Sequence, residues 1–323
     1  FHQIFHPLLF HTIHVEPTLA DLRAAFAQHG HELAAFILEP LVQGAAGMLL
    51  SPPGLLAEAR SLCSASGVLL IADEVATGFG RTGTMFACEQ ESVTPDLMAV
   101  AKGLTGGYLP LAATLATDAV FSQFLGAPGE RLTFFHGHSF GGNPLGCAAA
   151  LASLDLFDKD QVVPRLPPKI ARLRSRLADR VAPLPSVFEI RQKGLMVGIE
   201  LRRSPSQPYA PEDAIGARVC RIVRRNGVIL RPLGSVVVLM PPLSITPEQI
   251  DFLVDATAAA ILEATAQPAS SSPSPRASLS SSPTPSSPPG LFQLATAPAA
   301  GKPTLATRSR ARVSSACRTS TRT

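Results

Sequence analysis

From Pro17 to about Glu263, short apolar runs of strand length alternate with longer stretches whose apolar residues recur every three or four positions. Strands alternating with helices in this way predict a mostly parallel α/β sheet with flanking crossover helices. Ala34 to Leu38 reads as a buried strand, Pro53 to Ser66 as a helix, Val68 to Ala72 as the next strand and Leu97 to Ala101 as another. Asn143 to Phe157 carries small residues at helical spacing, and Pro144 suits a first turn, where its missing N–H removes no hydrogen bond.

After Asp160 the texture changes. KIARLRSRLADRV predicts a basic amphipathic helix, followed by strands at Val187 to Ile190 and Leu195 to Leu201. Glu212 to Asn226 predicts a helix stopped by Gly227, Val236 to Met240 a strand, and Pro247 to Glu263 a closing helix capped by Thr246. The pattern divides the chain into a larger α/β domain over residues 1–160, a smaller α+β domain over 161–266 and a tail over 267–323. The tail is rich in Ser, Pro, Thr and Ala; with few large apolar side chains it is expected to be disordered, because burial there cannot offset the entropy of ordering.

Composition adds class and compartment. The 323 residues are 46% hydrophobic and 16% charged, enough to bury a sizeable core in more than one domain. Of the 28 basic residues seven lie after Glu263, which leaves 21 against 24 acidic ones, so the basic balance belongs to the tail and does not argue for a nucleic-acid partner. Five scattered cysteines, Cys63, Cys88, Cys147, Cys220 and Cys317, form no CxxC pair and no zinc-binding spacing, which predicts reduced thiols, no metal and a cytoplasmic setting. The opening FHQIFHPLLFHTIHVEP lacks the features of a signal peptide, and no apolar run approaches the roughly 20 residues of a membrane helix, so no membrane partner is expected. The abrupt start without methionine predicts that the chain is a fragment.

The chemistry concentrates in two strings. In IADEVATGFGRTG, Ile71 to Gly83, the pair Asp73 and Glu74 sits at the carboxyl end of a predicted buried strand, the end at which open α/β sheets bind ligands. An isolated Asp-Glu pair more often caps a turn with the glutamate solvated, but Gly78, Gly80, Arg81 and Gly83 make this string more specific. In AVAKGLTGG, Lys102 follows another strand and precedes a glycine-rich turn. A lysine shielded from water there would favour the neutral form that imine chemistry needs, although an exposed strand-end lysine is the commoner case. A lysine and a carboxylate together are what pyridoxal phosphate requires: one to hold its carbonyl, the other to keep its pyridine nitrogen protonated.

ILEPLVQGAAGM, IADEVATGFGRTG, AKGLTGG and HGHSFGGNPLGCAAA occur in the order found in class III, fold-type I aminotransferases, and the resemblance covers about Pro17 to Glu263. Ala76 within DEVATGFGRTG, and AKGLTGGYLPLAATL, look most like the biotin-pathway branch of that class. The resemblance implies pyridoxal 5'-phosphate as cofactor, S-adenosylmethionine and 8-amino-7-oxononanoate as substrates, and a homodimer. It implies that Lys102 is the Schiff-base lysine and proton shuttle, Asp73 the partner of the pyridine nitrogen, and Val75 a wall against the ring. His138 and Ser139 would bind the phosphate of the neighbouring subunit's cofactor, with Ser139 where the family usually has threonine. Gly137 would meet substrate through its backbone and Arg231 would hold a substrate carboxylate, a role suited to a guanidinium; Glu39 and Gln43 would lie near the cofactor.

From the residues alone, Arg231 reads better as a surface arginine between strands and His136 better as a structural histidine than as a general base. The family's glycine-serine phosphate loop and ring-stacking aromatic residue do not occur in this chain, which has two tyrosines, Tyr108 and Tyr209, and no tryptophan; Val238 stands where some relatives have a substrate-binding tyrosine. Two alternatives therefore stay open beside the biotin-pathway reading: another class III ω-aminotransferase, and a non-catalytic fragment.

Overall fold

The computed structural model describes residues 11–127, 129–266 and 292–296. The elements up to its first sheet's far edge are β1 (Thr12–Val15), α1 (Leu19–His29), β2 (Leu33–Leu38), β3 (Val42–Gln43) and β4 (Leu49–Leu50), which form a separate two-stranded hairpin, α2 (Leu55–Ser66), β5 (Leu69–Asp73), β6 (Leu97–Val100) and β7 (Ala113–Ala116). Thr18 starts α1, its hydroxyl accepting the Asp21 N–H at 3.1 Å. Gly67 ends α2 in the left-handed conformation (φ 64°), which turns the chain straight into β5. β2, β5 and β6 are mutually parallel, and β7 closes the far edge antiparallel. Phe36, Leu55, Leu56 and Leu70 are fully buried between this sheet and its helices, each contributing about 1.5–3 kcal/mol by leaving water.

The rest of the chain begins with α3 (Asp118–Phe121) and α4 (Pro144–Lys159), where Asn143 caps the Leu145 N–H and Pro144 takes the first turn. Then follow α5 (Leu166–Arg180), β8 (Val187–Lys193), β9 (Met196–Ser204), β10 (Gln207–Pro208), α6 (Ile215–Arg225), β11 (Arg231–Leu233), β12 (Val236–Leu239) and α7 (Pro247–Ala266). The four longer and shorter strands β10, β9, β12 and β11 lie in that order with β8 on β9, all antiparallel. One core of Leu173, Leu177, Ile199, Val219, Val237 and Ile261 joins this second sheet to α5, α6 and α7. α5 starts at Leu166 rather than Lys169 because Pro167 and Pro168 are compatible with a first turn. Its basic face is answered by α7: Arg172 pairs with Asp251, and Arg176 and Arg180 with Asp255.

The tail differs from expectation. Within residues 267–323, Phe292–Thr296 forms a strand, β13, that lies between β1 and β2 and is antiparallel to both, giving the order β1-β13-β2-β5-β6-β7. Phe292 and Leu294 are buried in the same core as Phe36, with the Phe36 and Phe292 rings edge to face at 5.6 Å. Composition averaged over the tail hides this short alternating run, in which two large side chains two residues apart reach one face of a strand.

Candidate active site

The three parallel strands β2, β5 and β6 end on one edge of the first sheet. Glu39 follows β2 directly, Asp73 is the last residue of β5, and Lys102 comes two residues after β6. The register places Leu38 beside Ala72 and Asp73 beside Ala99. Three ionisable side chains from distant sequence positions thus leave the sheet at adjacent strand ends, with Glu39 electrostatically within reach of the other two. Burial pushes the Glu39 carboxyl above its ordinary value; a hydrogen bond from Gly44 N–H pulls it back, the charge of Asp73 raises it further, and Lys102 lowers it. The Gly44 bond to Glu39 Oε2 is 3.0 Å long.

Asp73 is oriented by the backbone after it, its Oδ1 accepting the Val75 N–H at 3.0 Å. Glu74 points the other way. Rather than being solvated it is fully buried, its Oε2 accepting the Thr77 hydroxyl at 2.5 Å and its Oε1 the Cys88 N–H at 2.9 Å. It therefore ties the glycine-rich loop together, while Asp73 stays half-buried at the end of β5. The thiol of Cys88 is pushed up, by burial first and then by the Glu74 charge.

Lys102 opens a tight turn, Lys102–Thr105, with φ 42°, a left-handed backbone that a lysine adopts at some strain. Gly103 is needed beside it, since a Cβ there would stand 2.7 Å from Phe79 Cβ. The turn consequently rests on the Phe79 ring of the GFGRTG loop. The expected shielding of Lys102 is not what the structure shows: the residue is exposed. Among the described residues, β7 and the segment after it are exposed as well and give that side no cover.

A cavity of about 670 Å³ lies against Lys102, walled by Val75, Ala76, Phe79 and Phe157 and rimmed by the cations Arg81 and Lys169. The second sheet's side is pinned to it: Arg81 donates to Pro241 O, Lys169 Nζ to Leu243 O at 2.7 Å, and Leu195 N–H to Arg81 O at 2.9 Å. Burial holds the Arg81 guanidinium below its ordinary pKa. Sequence reasoning missed the roles of Phe79 and Lys169; the signal for Phe79 was the glycine directly after Lys102.

Of the expected residues Lys102 and Val75 line this cavity, and Glu39, Asp73 and the remaining ones do not. Gln43 is buried in β3. Gly137, His138 and Ser139 lie on an exposed segment, with His138 Nδ1 accepting the Phe140 N–H at 3.1 Å and His136 stacked on Phe134. Arg231 is exposed at the start of β11, in register with the buried Val238. Neither Arg231 nor Val238 lines the cavity.

A carboxylate and a lysine at neighbouring parallel strand ends, in this order of elements, are features of a lysine-bearing α/β transferase domain, and the comparison with known families names it: the chain belongs to the class-III aminotransferases, whose family model matches residues 11–261. Within that family it is 51% identical over 285 residues to the adenosylmethionine-8-amino-7-oxononanoate aminotransferase of Nitratidesulfovibrio vulgaris, an alignment covering 82% of this chain and 52% of that protein. The solved structure of adenosylmethionine-8-amino-7-oxononanoate aminotransferase from Methanocaldococcus jannaschii superposes with TM-score 0.79 at 42% identity, over 81% of this chain and 62% of that one. An amine transaminase from an uncultivated Pseudomonas species, solved in its PLP-bound form, gives TM-score 0.71 at 35% identity, over 76% of this chain and 56% of that one. The chain therefore has the fold of the solved transaminases and spans between about half and three fifths of the length of these relatives.

Proposed function

We propose that this chain carries the lysine-bearing part of a pyridoxal-phosphate-dependent aminotransferase of biotin biosynthesis, which passes an amino group from S-adenosylmethionine to 8-amino-7-oxononanoate. The observation that carries the reading is the convergence of Glu39, Asp73 and Lys102 at the ends of β2, β5 and β6. These residues fit the cofactor: a primary amine, a carboxylate already oriented by a backbone N–H, and an apolar wall at Val75 beside a cavity.

When bound, pyridoxal phosphate supplies the electron sink that makes the proton on the amine-bearing carbon acidic. Asp73 would keep the pyridine nitrogen protonated by charge, Val75 would set the ring's plane, and Lys102 would hold the cofactor carbonyl and carry the proton between carbons. His138 and Ser139 would reach the phosphate of a second copy's cofactor, and Gly137 and Arg231 the substrate. A homodimer is supported by the apolar side chains exposed along that segment, among them Phe134, Phe135, Phe140 and Leu145, since a soluble monomer rarely leaves so many close together in water. No helix among the described residues is long and apolar enough to cross a membrane, and a cytoplasmic location belongs to the same proposal.

The test is to add pyridoxal phosphate to the purified chain and follow the absorbance of a lysine-bound pyridoxal, then to assay amino transfer with the two substrates. A lysine-dependent band with transfer from S-adenosylmethionine supports the reading. A band with transfer only from other amines favours another ω-aminotransferase, and no band sinks the cofactor assignment for this chain. The exposure of Lys102 favours a second reading, in which cover from a further polypeptide is needed before the chain turns over substrate.

A further inference from the structure

Two residues flanking one contact hold a left-handed backbone that L side chains rarely adopt. Phe79 has φ 55° and Lys102 φ 42°, and the Phe79 side chain lies against Gly103, the residue after the lysine. Such conformations persist only where the surroundings fix them from several sides. For the loop that carries Phe79, between β5 and the short helical turn Ala87–Glu91, the fixing residue is Glu74. Taking Lys102 as the cofactor's amine, the reading given above, we propose that Glu74 is a positioning residue for that lysine. Its buried carboxylate closes the loop from Thr77 to Cys88 and so holds Phe79 under the turn that bears Lys102.

Four hydrogen bonds meet at Glu74. Its N–H donates to Ala99 O at 3.0 Å, in the strand that leads to Lys102, and its own carbonyl accepts the Gly78 N–H at 3.0 Å. Its Oε2 accepts the Thr77 hydroxyl at 2.5 Å and its Oε1 the Cys88 N–H at 2.9 Å. One residue is thus anchored to β6, to the start of the loop and to the loop's end, 14 positions on. Glu74 and Thr77 are fully buried, so water does not compete for these bonds. A carboxylate suits the place because it offers two acceptor oxygens to two donors arriving from opposite ends of the loop.

From the loop the constraint passes to the lysine by packing. The Phe79 ring is buried, set edge to face on Phe86 at 5.5 Å and tilted on Phe157 at 6.3 Å, so it cannot swing aside without displacing both. Against it rests the turn Lys102–Thr105, closed by the Leu104 N–H on Ala101 O at 2.9 Å and the Gly106 N–H on Gly103 O at 3.0 Å. Ser153 Oγ donates to Gly103 O at 3.4 Å from the side of α4. Glu74 therefore acts on Lys102 through Phe79 and Gly103, as a matter of packing rather than of charge.

Hydrogen exchange on the full chain without cofactor tests this. Glu74→Leu keeps the volume and removes both side-chain bonds. Glu74→Gln keeps them, since its Oε1 can accept the Cys88 N–H and its Nε2 can donate to the Thr77 hydroxyl. In Glu74→Leu the amides of the Lys102 turn are expected to exchange at least about tenfold faster, while those of α2 stay within about twofold of the unaltered chain. Glu74→Gln should leave both sets within about twofold. Borohydride trapping of pyridoxal phosphate, mapped by mass spectrometry, is the second readout. Labelling of Lys102 relative to Lys169, which lines the same cavity, should fall at least about fivefold in Glu74→Leu and recover in Glu74→Gln. Equal exchange in all three chains, faster exchange in α2 as well as in the turn, or an equal loss in Glu74→Gln overturns the proposal. Absence of Lys102 labelling in the unaltered chain counts against the cofactor reading alone, and exchange then decides the role of Glu74. Where Glu74→Leu does not fold, Thr77→Val, which removes one of the two bonds, carries the same comparison.

Discussion

Asp73 ends β5 and Lys102 follows β6, so 29 positions of sequence are folded back until a carboxylate and an amine leave adjacent parallel strands. The strand pairing sets their relation, with Asp73 beside Ala99, three residues before the lysine. Replacing Lys102 by Ala is expected to remove the absorbance of lysine-bound pyridoxal and lower amino transfer by at least about 10²–10⁴-fold, the usual contribution of a positioned acid–base group, while the melting temperature of an exposed position stays nearly unchanged. Absorbance spectra and thermal melts of the same preparations decide it; a band that survives Lys102→Ala would assign the amine elsewhere.

Glu39 gives the site a pH signature. Its carboxyl is raised in the fold above the ordinary 4.5, chiefly by burial, so between those two values the folded chain binds more protons than the unfolded one. Stability from this group is highest at low pH and declines as pH rises above about 4.5 toward the folded value. Glu39→Gln keeps an acceptor for the Gly44 N–H and removes the charge. Urea unfolding from pH 4 to 7 should show the decline in the unaltered chain and a flatter profile in the variant.

Gly103 transmits packing to Lys102. Adding one methyl group, Gly103→Ala, forces the turn off Phe79, where the new carbon would lie 2.7 Å from Phe79 Cβ. The expected cost is about 1–3 kcal/mol, the usual range for overpacking, together with a shifted or weakened lysine-bound pyridoxal band. Unfolding and spectral measurements that both remain unchanged would show that the turn moves freely.

Arg191 joins the second sheet to the β3–β4 hairpin. It is 6% exposed and donates twice to Gly47 O, at 3.1 and 3.0 Å, and once to Glu200 at 2.7 Å, with Glu189 as a further partner. Arg191→Met leaves a carbonyl and two carboxylates without this donor. The loss should be about 2–3 kcal/mol, below that of a fully buried pair because both carboxylates are partly exposed. A denaturant midpoint that does not move would show that the hairpin is held to the second sheet by other contacts.

The central strands and the second sheet with its helices were legible in advance because their periodicities are local: LAAFIL and the LLIA before Asp73 are continuous apolar runs, and IGARVCRIVRR places Ile215, Val219, Ile222 and Val223 on one buried stripe. Thr246 was legible as a cap, and it exchanges hydrogen bonds with Gln249 across the first turn of α7. The shielding of Lys102 was not, since exposure depends on which distant segments arrive beside β6. Nor was the buried role of Glu74, which needs Thr77 and Cys88 folded around it.

The order of residues by itself determined the family and the strand–helix alternation, and it singled out Asp73 and Lys102 as the candidate pair, because motifs and periodicity reside in neighbouring positions. Tertiary structure decided which strand ends lie side by side, that Lys102 stands exposed on Phe79, and that a short run in a polar tail enters the first sheet. Those outcomes depend on long-range backbone pairing and on the burial of side chains such as Phe292 against Phe36, and no local pattern of residues carries that information.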